Sequence, residues 1–149
     1  MLNPDYKDML SRLLENAVDF LLVGAYALAV HGFPRATADI DIFVKPDPMN
    51  ARKVYKTLEE FGAPLGDVTI EDFAVPGTIF QVGVAPRRID LITEIDGLSF
   101  DEAAEDRDIV RIDDLAVPVI SKKNLIVNKL ATGREKDRLD AEKLKNAPS

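Results

Sequence analysis

Apolar and polar positions alternate in blocks that read as helices and strands in turn. Asn3 is placed to cap a helix, with Pro4 at its first position and Asp5 in its electropositive first turn. Met9, Leu10, Leu13 and Leu14 then recur at helical spacing, giving an apolar face through about Glu15. Phe20-Leu21-Leu22-Val23 is short and apolar throughout, the pattern of a buried strand ending at Gly24. Ala25 to Val30 is a small-residue helix closed by Gly32, and Pro34 stops any continuation. Ala38 to Val44 is a strand. Asp47 caps a helix opened by Pro48, with Val54, Leu58 and Phe61 on its inner face and Gly62 at its end. Gly66 to Ile70, Thr78 to Val84 and Arg87 to Ile95 read as strands, the last two an antiparallel pair joined tightly at Ala85-Pro86. Ser99 to Glu105 is a short acidic helix. Ile109 to Ile112 and Val117 to Ile120 are strand-like, and Ser121 caps a final helical pair divided near Gly133. The expectation is an α+β (α/β) domain with a mixed sheet of about five strands, spanning residues 1–149, with 121–149 as a helical C-terminal extension.

Composition fits this picture. The chain has 149 residues, 46% of them hydrophobic and 30% charged, which is ordinary for a globular domain. It contains no cysteine, so disulfides and thiolate metal sites are excluded. No apolar run reaches the roughly 20 residues that cross a bilayer, and the first residues lack a signal-peptide pattern. A cytoplasmic, membrane-free protein is expected. The formal net charge of -7 opposes general coating of nucleic acid.

The acids are informative by position. In Asp39-Ile40-Asp41-Ile42-Phe43-Val44, strand alternation puts Asp39 and Asp41 on one face and Ile40, Ile42 and Val44 on the other. Two like charges on one strand face repel, and a divalent cation is the usual remedy. A charged, aggregation-resistant strand edge is the competing reading. Asp90, inside the apolar run Arg88-Ile89-Asp90-Leu91-Ile92, faces the same site if its strand lies beside the first. Three such carboxylates suit a two-metal centre, whereas Asp90 alone would be read as an ion-pair partner of Arg87 or Arg88. Gly24 joins a strand to a helix, where backbone N–H groups can meet an anion, or simply make a turn. Arg35 is a candidate phosphate contact or a surface salt bridge. Lys129 and Arg134, with Asp137 and Asp140, form either part of a binding site or an ion-pair cluster between two helices. His31, the single histidine, is read as a packing or hydrogen-bonding group at a helix end.

Taken together, Gly24 through Ile42, with Asp39-Ile40-Asp41 at its end and Asp90 downstream, resembles the active-site signature of the polymerase-β-type nucleotidyltransferase superfamily. The resemblance is to small bacterial and archaeal members, the minimal nucleotidyltransferases and AbiE-type toxins. It covers roughly residues 20–44, 87–92 and 118–141. It implies transfer of a nucleoside monophosphate from an NTP (ATP or GTP) to an acceptor hydroxyl on a protein, an RNA or a small molecule, with release of pyrophosphate. It implies that Asp39, Asp41 and Asp90 are catalytic and hold two Mg²⁺ (or Mn²⁺) ions with the NTP. Gly24, Ala25, Arg35, Thr37 and Lys129 would bind the nucleotide. Ala25 departs from the usual Gly or Ser, which keeps the backbone N–H and loses a hydroxyl contact.

Two alternatives remain at this point. One is a weakly active or inactive binding and regulatory module on the same fold, within a toxin–antitoxin pair. The other is a metal-dependent nuclease. A partner protein or a homodimer is expected to complete acceptor recognition, since the chain has little room for a second domain.

Overall fold

Caps and apolar faces fix the first helix, α1 (Pro4–Glu15), in the computed structural model, which describes residues 2–33, 39–84 and 87–147. The Asn3 side chain accepts a hydrogen bond from the Tyr6 N–H, and Tyr6, Met9, Leu10 and Leu13 are buried. Strand β1 (Phe20–Val23) is buried along its whole length and runs directly into α2 (Gly24–Val30). Strand β2 (Ile40–Val44) and helix α3 (Pro48–Phe61) follow, the helix capped by Asp47 and closed by Gly62 in the left-handed conformation. Strands β3 (Ile79–Val82) and β4 (Ile89–Ile92) pair antiparallel. Helix α4 (Phe100–Ala104) begins at a capping box between Ser99 and Glu102. Strands β5 (Asp108–Ile112) and β6 (Leu115–Val119) form an antiparallel hairpin. Helices α5 (Lys122–Ala131) and α6 (Glu135–Asn146) close the chain and pack on each other.

The sheet has six strands in the order β3-β4-β2-β1-β6-β5, one more than the about five expected. Strands β5 and β6, where strand-like runs were expected, join the main sheet through a parallel contact between Leu22 and Val119. At the centre, β1 and β2 are antiparallel, whereas β2 and β4 are parallel with Asp41 in register with Asp90. The core is one cluster of buried residues on both faces of the sheet, with Ile40, Ile42 and Leu91 on one face and Leu21 and Phe43 on the other, and it includes Met9, Leu13, Leu125 and Leu144.

A strand over Gly66–Ile70 does not form. Thr69 and Asp72 cap each other instead: the Thr69 N–H donates to Asp72 Oδ2 at 2.8 Å and the Asp72 N–H to Thr69 Oγ1 at 3.3 Å. This reciprocal cap starts a short 3-10 helix over Glu71–Ala74, which buries Phe73 under α3. Asp39 precedes β2 rather than lying within it. Pro34, Ala38 and the Ala85-Pro86 connection lie outside the described residues. Among the described residues, no helix is long and apolar enough to cross a membrane.

Buried Asn50 ties the sheet to α3 at the end away from Gly24. Its Oδ1 accepts from the Asp19 N–H at 2.8 Å, and its Nδ2 donates to the carbonyls of Asp19 and Lys45, each at 3.0 Å. One side chain thereby joins the start of β1 to the end of β2, opposite the end where Gly24 follows β1 and Asp41 lies on β2.

Candidate active site

The site forms where β1 ends, β2 begins and β4 lies alongside. Parallel pairing aligns Ile40 with Ile89, Asp41 with Asp90 and Ile42 with Leu91. Because neighbouring side chains alternate across the sheet, the apolar partners enter the core together and the two carboxylates emerge together. Asp90 is buried, and Asp39 and Asp41 are half-buried.

Arg88 stands among these acids. Its Nε donates to Asp90 Oδ1 at 2.8 Å and its Nη2 to Asp90 Oδ2 at 3.3 Å, and Nη2 also lies 3.3 Å from Asp39 Oδ2. The Arg88 backbone N–H donates to Asp39 Oδ1 at 3.1 Å. Asp39 and Asp90 are therefore joined through one guanidinium. Among the described residues, Asp41 makes no such contact with a guanidinium. Burial, then the charge of Asp90 and a side-chain hydrogen bond with it, and then the charge of Asp39, push the Asp41 carboxyl up to about 6, against a smaller opposing pull from Arg88. Among the described residues of this cluster, three carboxylates share the one guanidinium of Arg88. As the side chains stand, no group of three or more His, Cys, Asp or Glu among the described residues is arranged to hold a metal ion.

Gly24 explains how Asp41 fits. Its φ is +67°, and a Cβ built there would fall 2.2 Å from Asp41 Oδ2. Only a glycine allows the backbone to lie against this carboxylate. Tyr6 and Tyr26 pack edge-to-face nearby with ring centroids 5.7 Å apart. Burial, followed by Tyr26 and the Asp39 charge, pushes the Tyr6 phenol up to about 12, so it stays protonated, and its O–H donates to the Arg88 carbonyl at 3.2 Å.

A cleft of about 450 Å³ opens beside Asp41. Val23, Gly24 and Ala25 form one wall, Glu94 and Asp96 follow β4, and Lys129, Thr132, Arg134 and Lys136 reach in from α5 and α6. The far wall is an ion-pair network. Lys129 Nζ lies 3.2 Å from Asp137 Oδ1 and 3.2 Å from Asp140 Oδ2, while Arg134 Nε donates to Asp137 Oδ2 at 2.8 Å. Thr132 Oγ1 also donates to Asp137 Oδ2, at 2.8 Å. Burial pushes the Asp137 carboxyl up, but the bonds from Thr132 and Lys129 and the charges of Lys129 and Arg134 outweigh it and leave it below the usual carboxylate range.

The structure brings together Asp39, Asp41, Asp90 and Gly24 in one cluster, with Ala25 and Lys129 on walls of the cleft that Asp41 enters. Arg35 and Thr37 lie outside the described residues. His31 Nε2 bonds the Ile120 carbonyl at 2.8 Å, tying the end of α2 to the end of β6. The cleft residues Glu94, Asp96, Asn128, Thr132 and Lys136 carried no motif in the sequence. Thr132 had one usable signal, its position in the turn around Gly133 between two charged helices.

Comparison with known proteins agrees with this geometry. A family described as "Nucleotidyl transferase of unknown function (DUF2204)" matches residues 3–147. No curated protein matches the chain. Among solved structures, a Thermotoga maritima protein described as a nucleotidyltransferase (TM1012) superposes with a TM-score of 0.66 at 18% identity, covering 98% of this chain and 96% of that one. The lincosamide antibiotic adenylyltransferase LnuA, in its lincomycin-bound form, gives 0.59 at 18% identity, covering 97% and 98%. The antibiotic-resistance factor ANT(2'')-Ia gives 0.61 at 13% identity, covering 94% and 80%. At these identities the structures show a shared fold.

Proposed function

The chain belongs to the nucleotidyl transferase family DUF2204, with a polymerase-β-type fold, and from that premise we propose that it moves a nucleoside monophosphate from an NTP to an acceptor hydroxyl. The supporting observation is the register of Asp41 against Asp90, with Asp39 tied to the same cluster and Gly24 pressed against it. In the reaction the acceptor oxygen bonds to the α-phosphorus, the bond to the bridging oxygen of the β-phosphate breaks, and pyrophosphate leaves. Asp90 takes the proton of the acceptor hydroxyl. Gly24 and Ala25 present backbone N–H groups to the outer phosphates. Arg35 and Thr37 orient the phosphates, and Lys129 lies on the cleft wall facing them. This division of labour relies on positioning and electrostatics, which dominate catalysis of phosphoryl-type transfer.

The donor set fits a divalent cation. Asp39, Asp41 and Asp90 offer only hard oxygen ligands, and burial followed by the charges of Asp90 and Asp39 raises the Asp41 carboxyl, as expected for acids crowded on neighbouring strands. These residues would hold Mg²⁺ or Mn²⁺, two ions with the NTP. When bound, the ions supply charge neutralisation for the triphosphate and the departing pyrophosphate.

The cleft's size suits a nucleotide and leaves the acceptor to bind at its rim, as a small molecule, an RNA end or a protein side chain. A partner protein or a second copy would complete that rim, which makes a toxin–antitoxin arrangement one setting for the enzyme. A second reading, a nucleotide-binding regulatory module with weak turnover, is favoured by Ala25 and by the guanidinium already engaging Asp39 and Asp90. Incubation with each NTP labelled at the α-phosphate, with candidate acceptors, separates the two. Labelled product that disappears in Asp39→Ala plus Asp41→Ala supports transfer. Metal-dependent NTP binding by calorimetry without product supports the module. NTP binding that survives the double substitution unchanged refutes the carboxylate site.

A further inference from the structure

Arg88 is the unusual member of the cluster. A site that awaits cations carries a permanent cation of its own, held in a specific geometry. The guanidinium makes a two-armed contact to Asp90, at 2.8 and 3.3 Å, and reaches Asp39 at 3.3 Å, with the Arg88 backbone N–H on the other Asp39 oxygen. Asp90 and Asp39 therefore have oxygens committed to Arg88 in the resting protein. Asp41 stands in register beside Asp90 and outside this fork. The arm is also able to leave. The Arg88 side chain remains 31% exposed and that of Asp39 23%, so both ends of this contact reach solvent. A guanidinium carries its charge irreversibly, so it exits by moving and not by losing a proton.

We propose that Arg88 is a built-in competitor for the divalent cation: it neutralises Asp39 and Asp90 in the empty site and must release them before the ions and the NTP can load. This rests on the reading of the carboxylates as the cation site. The device has two consequences. The empty protein avoids the repulsion of three bare carboxylates. The apparent affinity for free metal is lowered by the work of displacing Arg88, so loading favours the metal–nucleotide complex, whose triphosphate offers the released guanidinium a new anionic partner.

The test reads Arg88 directly. The Nε–H proton of an arginine held by a carboxylate exchanges slowly and gives a resolved side-chain ¹⁵N–¹H signal, assigned here by its loss in Arg88→Lys. Titrating the wild-type protein with Mg²⁺ should broaden or shift this signal in step with metal saturation. In parallel, Mn²⁺ binding measured by electron paramagnetic resonance should tighten roughly three- to tenfold in Arg88→Gln, the scale of a partly exposed ion pair removed as a competitor. Arg88→Lys, which keeps the charge but lacks the fork, should fall between. Should Arg88→Gln fail to fold, the wild-type titration and Arg88→Lys decide. An Arg88 signal unchanged at saturating Mg²⁺, or variants that bind Mn²⁺ no better than wild type, overturns the proposal while leaving the carboxylate site standing. Absence of Mn²⁺ binding to the wild type, with or without NTP, overturns the cation-site reading and this inference with it.

Discussion

Replacing Asp41 with Asn should make the metal-free protein more stable at neutral pH and catalytically dead. The Asp41 carboxyl is pushed up from 3.8 to about 6, first by burial and then by Asp90. In the folded state it binds a proton more tightly than in the unfolded chain. That contribution to stability is present in full below the unfolded value of 3.8 and disappears as pH rises through the folded value of about 6. A displacement of about two units corresponds to roughly 3 kcal/mol, and we take about 2 kcal/mol after discounting for solvent reaching the half-buried side chain. Asn matches the shape of a protonated Asp and carries no charge. In EDTA, urea denaturation followed by circular dichroism should show Asp41→Asn more stable than wild type by about 2 kcal/mol near pH 8, with the gap closing to near zero around pH 4. Adding Mg²⁺ should then stabilise the wild type more than the variant. A variant that is less stable than wild type near pH 8, or a gap that does not change with pH, refutes the reasoning.

Gly24→Ala should cost ~1–2 kcal/mol in thermal or urea unfolding, because φ there is left-handed. It should also cut nucleotidyl transfer by up to about 100-fold, because the new Cβ would displace the Asp41 carboxylate. Lys129→Met should destabilise the fold by ~3 kcal/mol in denaturant, since it strips a shared cation from the buried carboxylates of Asp137 and Asp140. Equal stability of the variant and wild type would show the network to be screened by solvent. Asn50→Ala should lower unfolding free energy by about 1–3 kcal/mol without altering NTP affinity in a folded sample, because it takes the acceptor from the Asp19 N–H and one of two donors from each of the Asp19 and Lys45 carbonyls, at the end of the sheet away from Gly24. An affinity change in Asn50→Ala would show that the two ends of β1 and β2 are not mechanically separate.

Much of the fold was readable because its signals are local. Asn3, Asp47, Ser99 and Ser121 cap the helices that the chain places after them, and Phe20 to Val23 is a strand because nothing polar interrupts it. Gly66 to Ile70 misled because strand-like Val68 and Ile70 outweighed Thr69-Ile70-Glu71-Asp72, a capping pattern that wins once both side chains find the opposite backbone N–H. For the acids, alternation along Asp39-Ile40-Asp41 is local, but the alignment of Asp41 with Asp90 depends on which strands neighbour each other. Arg88 shows the limit of local reading. From sequence it competes with Arg87 as a simple partner of Asp90, and only the parallel pairing brings Asp39 to the same guanidinium. Thr132 needed the packing of α5 against α6 before its hydroxyl could meet Asp137.

The pairing of β2 with β4 also bears on how the chain finds its fold. A slip of one residue would rotate Asp90 towards the core that Ile89 and Leu91 now fill, and would turn those two side chains towards the cleft. Such a misaligned sheet would bury Asp90 together with Arg88, which lies two residues earlier on the same strand face, and would separate both from Asp39, at a cost of several kcal/mol. The acid proposed to receive a proton during transfer is therefore also the residue that penalises wrong strand alignment. Variants that discard Asp90 for an apolar residue lose that penalty, so their β4 has less to distinguish the native register from its neighbours.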